Sequence, residues 1–91
     1  MAQALKENEI AEKLKSAPGW KRQGNEISRA YLFSGFIAAM AFVNHVADLA
    51  ESMDHHPDIR IQYKKVTLTL STHSAGGLTA LDFALAEKID A

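Results

Sequence analysis

Ile59-Arg60-Ile61-Gln62-Tyr63-Lys64-Lys65-Val66-Thr67-Leu68-Thr69-Leu70-Ser71-Thr72 alternates apolar and polar side chains along most of its length. Successive side chains of a strand point to opposite faces, so a period of two marks a sheet with one buried face. Ile59, Ile61 and Tyr63 keep one parity, and Val66, Leu68 and Leu70 keep the other. The flip falls at Lys64-Lys65 and calls for a tight turn or a bulge. Two strands joined near Lys64-Lys65 is the favoured reading, with a single bulged strand as the alternative.

Both ends of this hairpin carry histidine. Asp54-His55-His56-Pro57-Asp58 precedes it and His73 follows it. A two-strand hairpin returns the chain to its starting end, so His73 and the His55-His56 pair are expected on one rim of the sheet. Imidazole is the side chain whose unperturbed pKa lies nearest neutrality, so three of them at one rim suggest a proton-transfer site. Pro57 disfavours helical dihedrals at His56, so a helix arriving from the N-terminal side must stop by Met53 or Asp54.

That helix spans residues 35–52, with Ser34 as the expected N-cap. Phe36, Met40, Val43, Ala47 and Ala50 form one apolar row and Ile37, Phe42, Val46 and Leu49 a second. A helix apolar on more than one side wants two partners. One is its own sheet; the other is either a neighbouring subunit or the rest of the monomer. On the far side of His73, Gly76-Gly77 forms a loop. Thr79 and Asp82 then have the spacing of a capping box, opening a last helix through Leu81, Leu85 and Ile89.

The N-terminal third repeats the pattern. Leu5, Ile10, Leu14 and Ala17 fall at helical spacing and predict a helix over residues 7–16, ended by Pro18-Gly19. Residues 20–23 form a short strand and Gly24-Asn25 a tight turn. Residues 27–33 form the return strand, with Ile27, Tyr31 and Phe33 on one face. Arg29 interrupts that face and Leu32 the other. The order is helix-strand-strand-helix-strand-strand-helix. Hairpins separated by helices predict an α+β, two-layer domain, an antiparallel sheet with helices on one face.

The chain has 91 residues, 47% hydrophobic and 23% charged, which are the proportions of one globular domain over 1–91. So small a core makes assembly into oligomers a natural source of further burial. The net charge of −1 lacks the basic face that a nucleic-acid partner needs. Without cysteine there is no disulfide and no thiolate metal site. The first residues carry charges where a signal peptide would be apolar, and residues 36–43 are too few to cross a bilayer. A cytoplasmic, membrane-free location is expected.

Other readings weigh against some candidates. His45, mid-helix and away from acids, is expected to be structural. Trp20 belongs to the core, and Lys64 and Lys65 to a solvated turn. Asp82 is first a capping acid, although it lies near enough in sequence to orient His73. Three histidines also admit a catalytic zinc site. Adjacent histidines chelate one ion awkwardly, however, so no metal is expected.

Gly19-Trp20, Ala50-Glu51, Asp54 through Asp58, Tyr63-Lys64-Lys65-Val66, Leu70 through His73, and Gly76-Gly77-Leu78-Thr79 with Asp82 together resemble pterin-4a-carbinolamine dehydratases. The similarity runs over about residues 19–89. It implies a four-stranded antiparallel sheet with three helices on one side. It implies a hydro-lyase that converts 4a-hydroxytetrahydropterin to quinonoid dihydropterin in tetrahydrobiopterin recycling, without a cofactor. Carried over by position, His55, His56 and His73 would be catalytic. Glu51, Asp54, Pro57, Ser71, Thr72, Ser74 and Ala75 would line the pterin, and Asp82 would sit behind His73. His55 and His73 are assigned to proton transfer and His56 to binding. The resemblance also implies a homodimer or homotetramer. Some animal members bind a transcription factor, so a non-catalytic, coactivator-like interaction module is the alternative function.

Overall fold

The computed structural model describes residues 3–91. Helix α1 (Glu7–Lys15) leads into the hairpin β1 (Lys21–Gln23) and β2 (Glu26–Leu32). Helix α2 (Phe36–Met53) is followed by the hairpin β3 (Asp58–Gln62) and β4 (Lys65–Leu70), and then by α3 (Ala80–Asp90). The four strands form one antiparallel sheet in the order β1-β2-β4-β3. The expected α+β architecture and element order are both observed.

Register explains which residues are buried. Ile27 pairs with Leu70, Arg29 with Leu68 and Tyr31 with Val66, so these side chains share the face covered by the helices. Ile27, Val66, Leu68 and Leu70 are fully buried there, against Val46 and Ala50 of α2 and Leu85 and Ala86 of α3. Ile59 and Ile61 pair with Leu68 and Val66 and so point the same way. They lie on the edge strand, beyond the helical cover, and remain more than a third exposed.

Both hairpins close through two-residue turns. Gly24-Asn25 joins β1 to β2, and Gly24 adopts φ 60°, where a side chain would be strained. The second turn is Tyr63-Lys64, one position earlier than the parity flip suggested, because Gln62 pairs with Lys65. Tyr63 takes the left-handed conformation at φ 55°. The bulged-strand alternative is excluded.

The expected Ser34 cap is corrected. Gly35 occupies the N-cap position of α2, and no side chain caps it. At the other end the Pro57 restriction holds. Helix α2 ends at Met53, and Asp54 turns left-handed at φ 49°. The His55 amide then bonds Ala50 O at 3.1 Å, a Schellman-type closure that satisfies a terminal carbonyl.

Candidate active site

The chain enters β3 at Asp58, which pairs with Thr69, and leaves β4 at Leu70, so both points lie at one end of the sheet. His55 and His56 therefore precede the sheet at the rim from which Ser71, Thr72 and His73 depart. The αL turn at Asp54 and the constraint from Pro57 send the two adjacent rings to different surroundings.

His55 turns inward and is 8% exposed. Its Nε2 lies 2.6 Å from Oδ1 of Asp82, which is completely buried at the start of α3. The capping box read from Thr79 and Asp82 is present, with the Thr79 amide donating to Asp82 Oδ2 at 2.9 Å. The Thr72 hydroxyl donates to the same oxygen at 2.8 Å. Among the described residues no buried side-chain polar atom lacks a partner. A buried carboxylate needs such a set of donors, because stripping its water without replacement is costly.

Here one expectation is corrected. Asp82 stands behind His55 and not behind His73. The capping role ties Asp82 to the start of α3, and its 2.6 Å contact with His55 joins that start to the end of α2. His73 instead opens a 3₁₀ turn, His73–Ala75, and its Nε2 lies 3.3 Å from the Ser71 hydroxyl. His56 is exposed, and its Nε2 lies 2.6 Å from Oε2 of Glu51, in the last turn of α2.

A cleft of about 270 Å³ opens beside these residues, lined by Gln23, Asn25, Glu26, Ser71, Thr72, His73, Gly76 and Gly77. It gathers three of the expected residues: Ser71, Thr72 and His73. His55, His56, Glu51, Asp54 and Pro57 lie on the β3 side of the rim and do not line it. Ser74 and Ala75 sit in the 3₁₀ turn, also outside the lining. Thr72 bridges the two groups, since it walls the cleft while its hydroxyl reaches Asp82. Gln23, Asn25 and Glu26 were not anticipated. The signal was present in the turn dipeptide Gly24-Asn25, but only the β2–β4 register brings that turn alongside residues 71–73. His45 is exposed on α2 and away from the rim, as expected.

Among the described residues, no three His, Asp or Glu side chains converge in a geometry that could hold a metal ion. The same residues contain no helix long and apolar enough to cross a membrane. What the rim offers chemically is proton exchange: one buried imidazole on a carboxylate, one exposed imidazole on a carboxylate, and one beside a hydroxyl at a cleft.

Comparison with known proteins gives the family. Residues 3–91 match the family model described as pterin 4 alpha carbinolamine dehydratase. A Roseiflexus castenholzii protein named "Putative pterin-4-alpha-carbinolamine dehydratase" is 56% identical over 90 residues, covering 99% of this chain and 97% of its own. A protein of the same name from Acidobacterium capsulatum is 58% identical over 82 residues, covering 90% and 89%. A crystal structure of a "transcriptional coactivator/pterin dehydratase" from Brucella melitensis superposes with a TM-score of 0.93 at 37% identity, over 97% of this chain and 96% of that one. A pterin dehydratase-like protein described as a RuBisCO assembly factor in the alpha-carboxysome aligns with a TM-score of 0.67 at 25% identity, over 79% and 86%. With residues 3–91 matched by the family model and relatives more than 50% identical over nearly its whole length, the chain belongs to the pterin 4 alpha carbinolamine dehydratase family.

Proposed function

We propose that the protein dehydrates 4a-hydroxytetrahydropterin to quinonoid dihydropterin, in the recycling of a tetrahydropterin cofactor. The observation that carries this reading is the buried His55–Asp82 pair at the same sheet rim as His56 and His73. In the substrate, C4a bears a hydroxyl and adjoins a ring nitrogen. Dehydration breaks the C4a–O bond, and the nitrogen lone pair forms the C=N bond. One proton goes to the departing oxygen and one leaves the nitrogen, so water is the only by-product and no electrons are gained or lost. A carbinolamine already favours expulsion of water. Positioned acid–base groups, typically worth about 10²–10⁴-fold, are sufficient.

His55 and His73 carry the proton transfers in this scheme. Asp82 orients His55 and stabilises its ring when protonated. His73 acts from the cleft side, next to the Ser71 hydroxyl. His56, held by Glu51, contacts the substrate. The roles named for the Brucella and carboxysome relatives favour a second reading, a non-catalytic interaction module, which requires no pterin binding.

Steady-state turnover of 4a-hydroxytetrahydropterin separates the two readings. His55→Ala and His73→Ala should each lower kcat partially, because each leaves the other acid–base group in place. The double variant should fall much further. Wild-type turnover in the double variant refutes the mechanism, and an inactive wild-type chain whose melting temperature ignores added pterin favours the interaction module.

A further inference from the structure

The capping box of α3 reaches the functional rim through hydrogen bonds of determinate direction. The Thr72 hydroxyl has one proton, and it goes to Asp82 Oδ2 at 2.8 Å. In the 2.9 Å contact between the Thr72 and Thr79 hydroxyls, Thr79 must therefore be the donor. Thr79 Oγ1 in turn accepts the Leu81 amide at 3.2 Å. Thr79 and Asp82 are fully buried and Thr72 nearly so, which leaves water no access to replace a lost partner. At the far end, Asp82 Oδ1 needs a donor, and His55 Nε2 supplies it at 2.6 Å. A neutral imidazole has one N–H, so committing it at Nε2 leaves the lone pair on Nδ1.

We infer that Thr79, acting through Thr72 and Asp82, is a positioning residue that holds His55 as its Nε2–H tautomer, so that Nδ1 is the nitrogen that exchanges protons at the site. Aligned buried hydrogen bonds polarise one another, so removing the Thr79 donor weakens the hold of Asp82 on the ring. The identity of the substrate rests on the dehydratase reading; the tautomer does not.

The test is ¹⁵N NMR of the imidazole nitrogens in the full chain, with kcat, KM and the pH profile of turnover, for wild type, Thr79→Val, Thr79→Ser and Thr72→Val. Wild type should show a protonated Nε2 and an unprotonated Nδ1 on the neutral ring of His55. Thr79→Val and Thr72→Val should mix the tautomers, alter the pH profile and lower kcat by about tenfold, less than the about 10²–10⁴-fold that a positioned acid–base group supplies. KM should change little, and Thr79→Ser should restore both readouts. Thr79→Val also removes the helix cap, so its melting temperature will fall; Thr72→Val lies outside the cap and decides the matter if Thr79→Val does not fold. A protonated Nδ1 in wild type overturns the inference. So do unchanged tautomers and kcat in the folded variants. The tautomer response in a chain that turns over no pterin would support the positioning role and sink the dehydratase reading.

Discussion

Burial separates the roles open to two adjacent histidines. His55 is 8% exposed and its carboxylate partner is fully buried, so its orientation is held by packing as well as by the 2.6 Å bond. The side chains of His56 and Glu51 are 54% and 77% exposed, and solvent screens their attraction. A ring held that loosely can turn to meet a ligand, which suits binding better than proton transfer. His56→Ala should therefore mainly raise KM, with a smaller effect on kcat. His45→Ala, on the exposed side of α2, should leave both unchanged. Kinetics that show a dead His45→Ala and a silent His56→Ala would put the pocket on the wrong face.

At the scale of elements, Arg29 explains itself only through a distant partner. It interrupts the apolar face of β2, yet it points to the helices because its register partner is Leu68. Its guanidinium bonds Asp90 Oδ2 and the Pro18 carbonyl, both at 3.0 Å, and lies 4.8 Å from the Tyr31 ring centroid. Gly19 leaves room for it, since a Cβ there would fall 2.8 Å from the guanidinium. Asp90 also accepts the Trp20 indole N–H at 2.8 Å and the Tyr31 hydroxyl at 2.5 Å. The end of α3 is thus clasped to β2 and to the α1–β1 connection. Burial, and then the bond to Asp90, push the Tyr31 phenol well above its ordinary value. A raised folded-state pKa gives stability that is complete below the unfolded value, near 10, and is lost as pH rises beyond it. The melting temperature should accordingly decline above about pH 10, and Tyr31→Phe should flatten that decline. Phenolate absorbance, compared between the two proteins, should show Tyr31 ionising only as the chain unfolds. Ionisation of Tyr31 near pH 10 in folded protein would disprove the clasp's effect.

At the scale of the molecule, the helical layer is too small for its sheet and its own apolar rows. Leu32 is 74% exposed, Phe36 47% and Ile37 82%, while Ile59 and Ile61 stand open on edge strand β3 and Tyr63 in the turn that follows it. Burial inside one chain therefore does not account for both apolar rows of α2. An open edge strand with unpaired backbone groups is also a template for another strand. The expected state is a homodimer or homotetramer. Light scattering at micromolar concentration should return a multiple of the 10.0 kDa chain mass, and a monomer mass would refute it. Ile37→Glu should shift the distribution towards smaller species without unfolding the chain, since Ile37 contributes little to the monomer core.

Features decided within a few residues were legible in the amino-acid order alone. Alternation in 59–72 set the strands, Gly24-Asn25 set one turn, Pro57 stopped α2, and Thr79 with Asp82 capped α3. Each depends on backbone dihedrals or hydrogen bonds that reach no further than the next turn. The three rim histidines were legible for a related reason, because a hairpin brings its own ends together. Tertiary structure alone decided that Asp82 serves His55, 27 residues away, and that Asp90 gathers Trp20, Arg29 and Tyr31 from 59 to 70 residues away. It likewise brought Gln23, Asn25 and Glu26 to the cleft. A buried carboxylate takes whichever donors packing places beside it, and packing follows the shapes of whole elements, which no local pattern of side chains encodes.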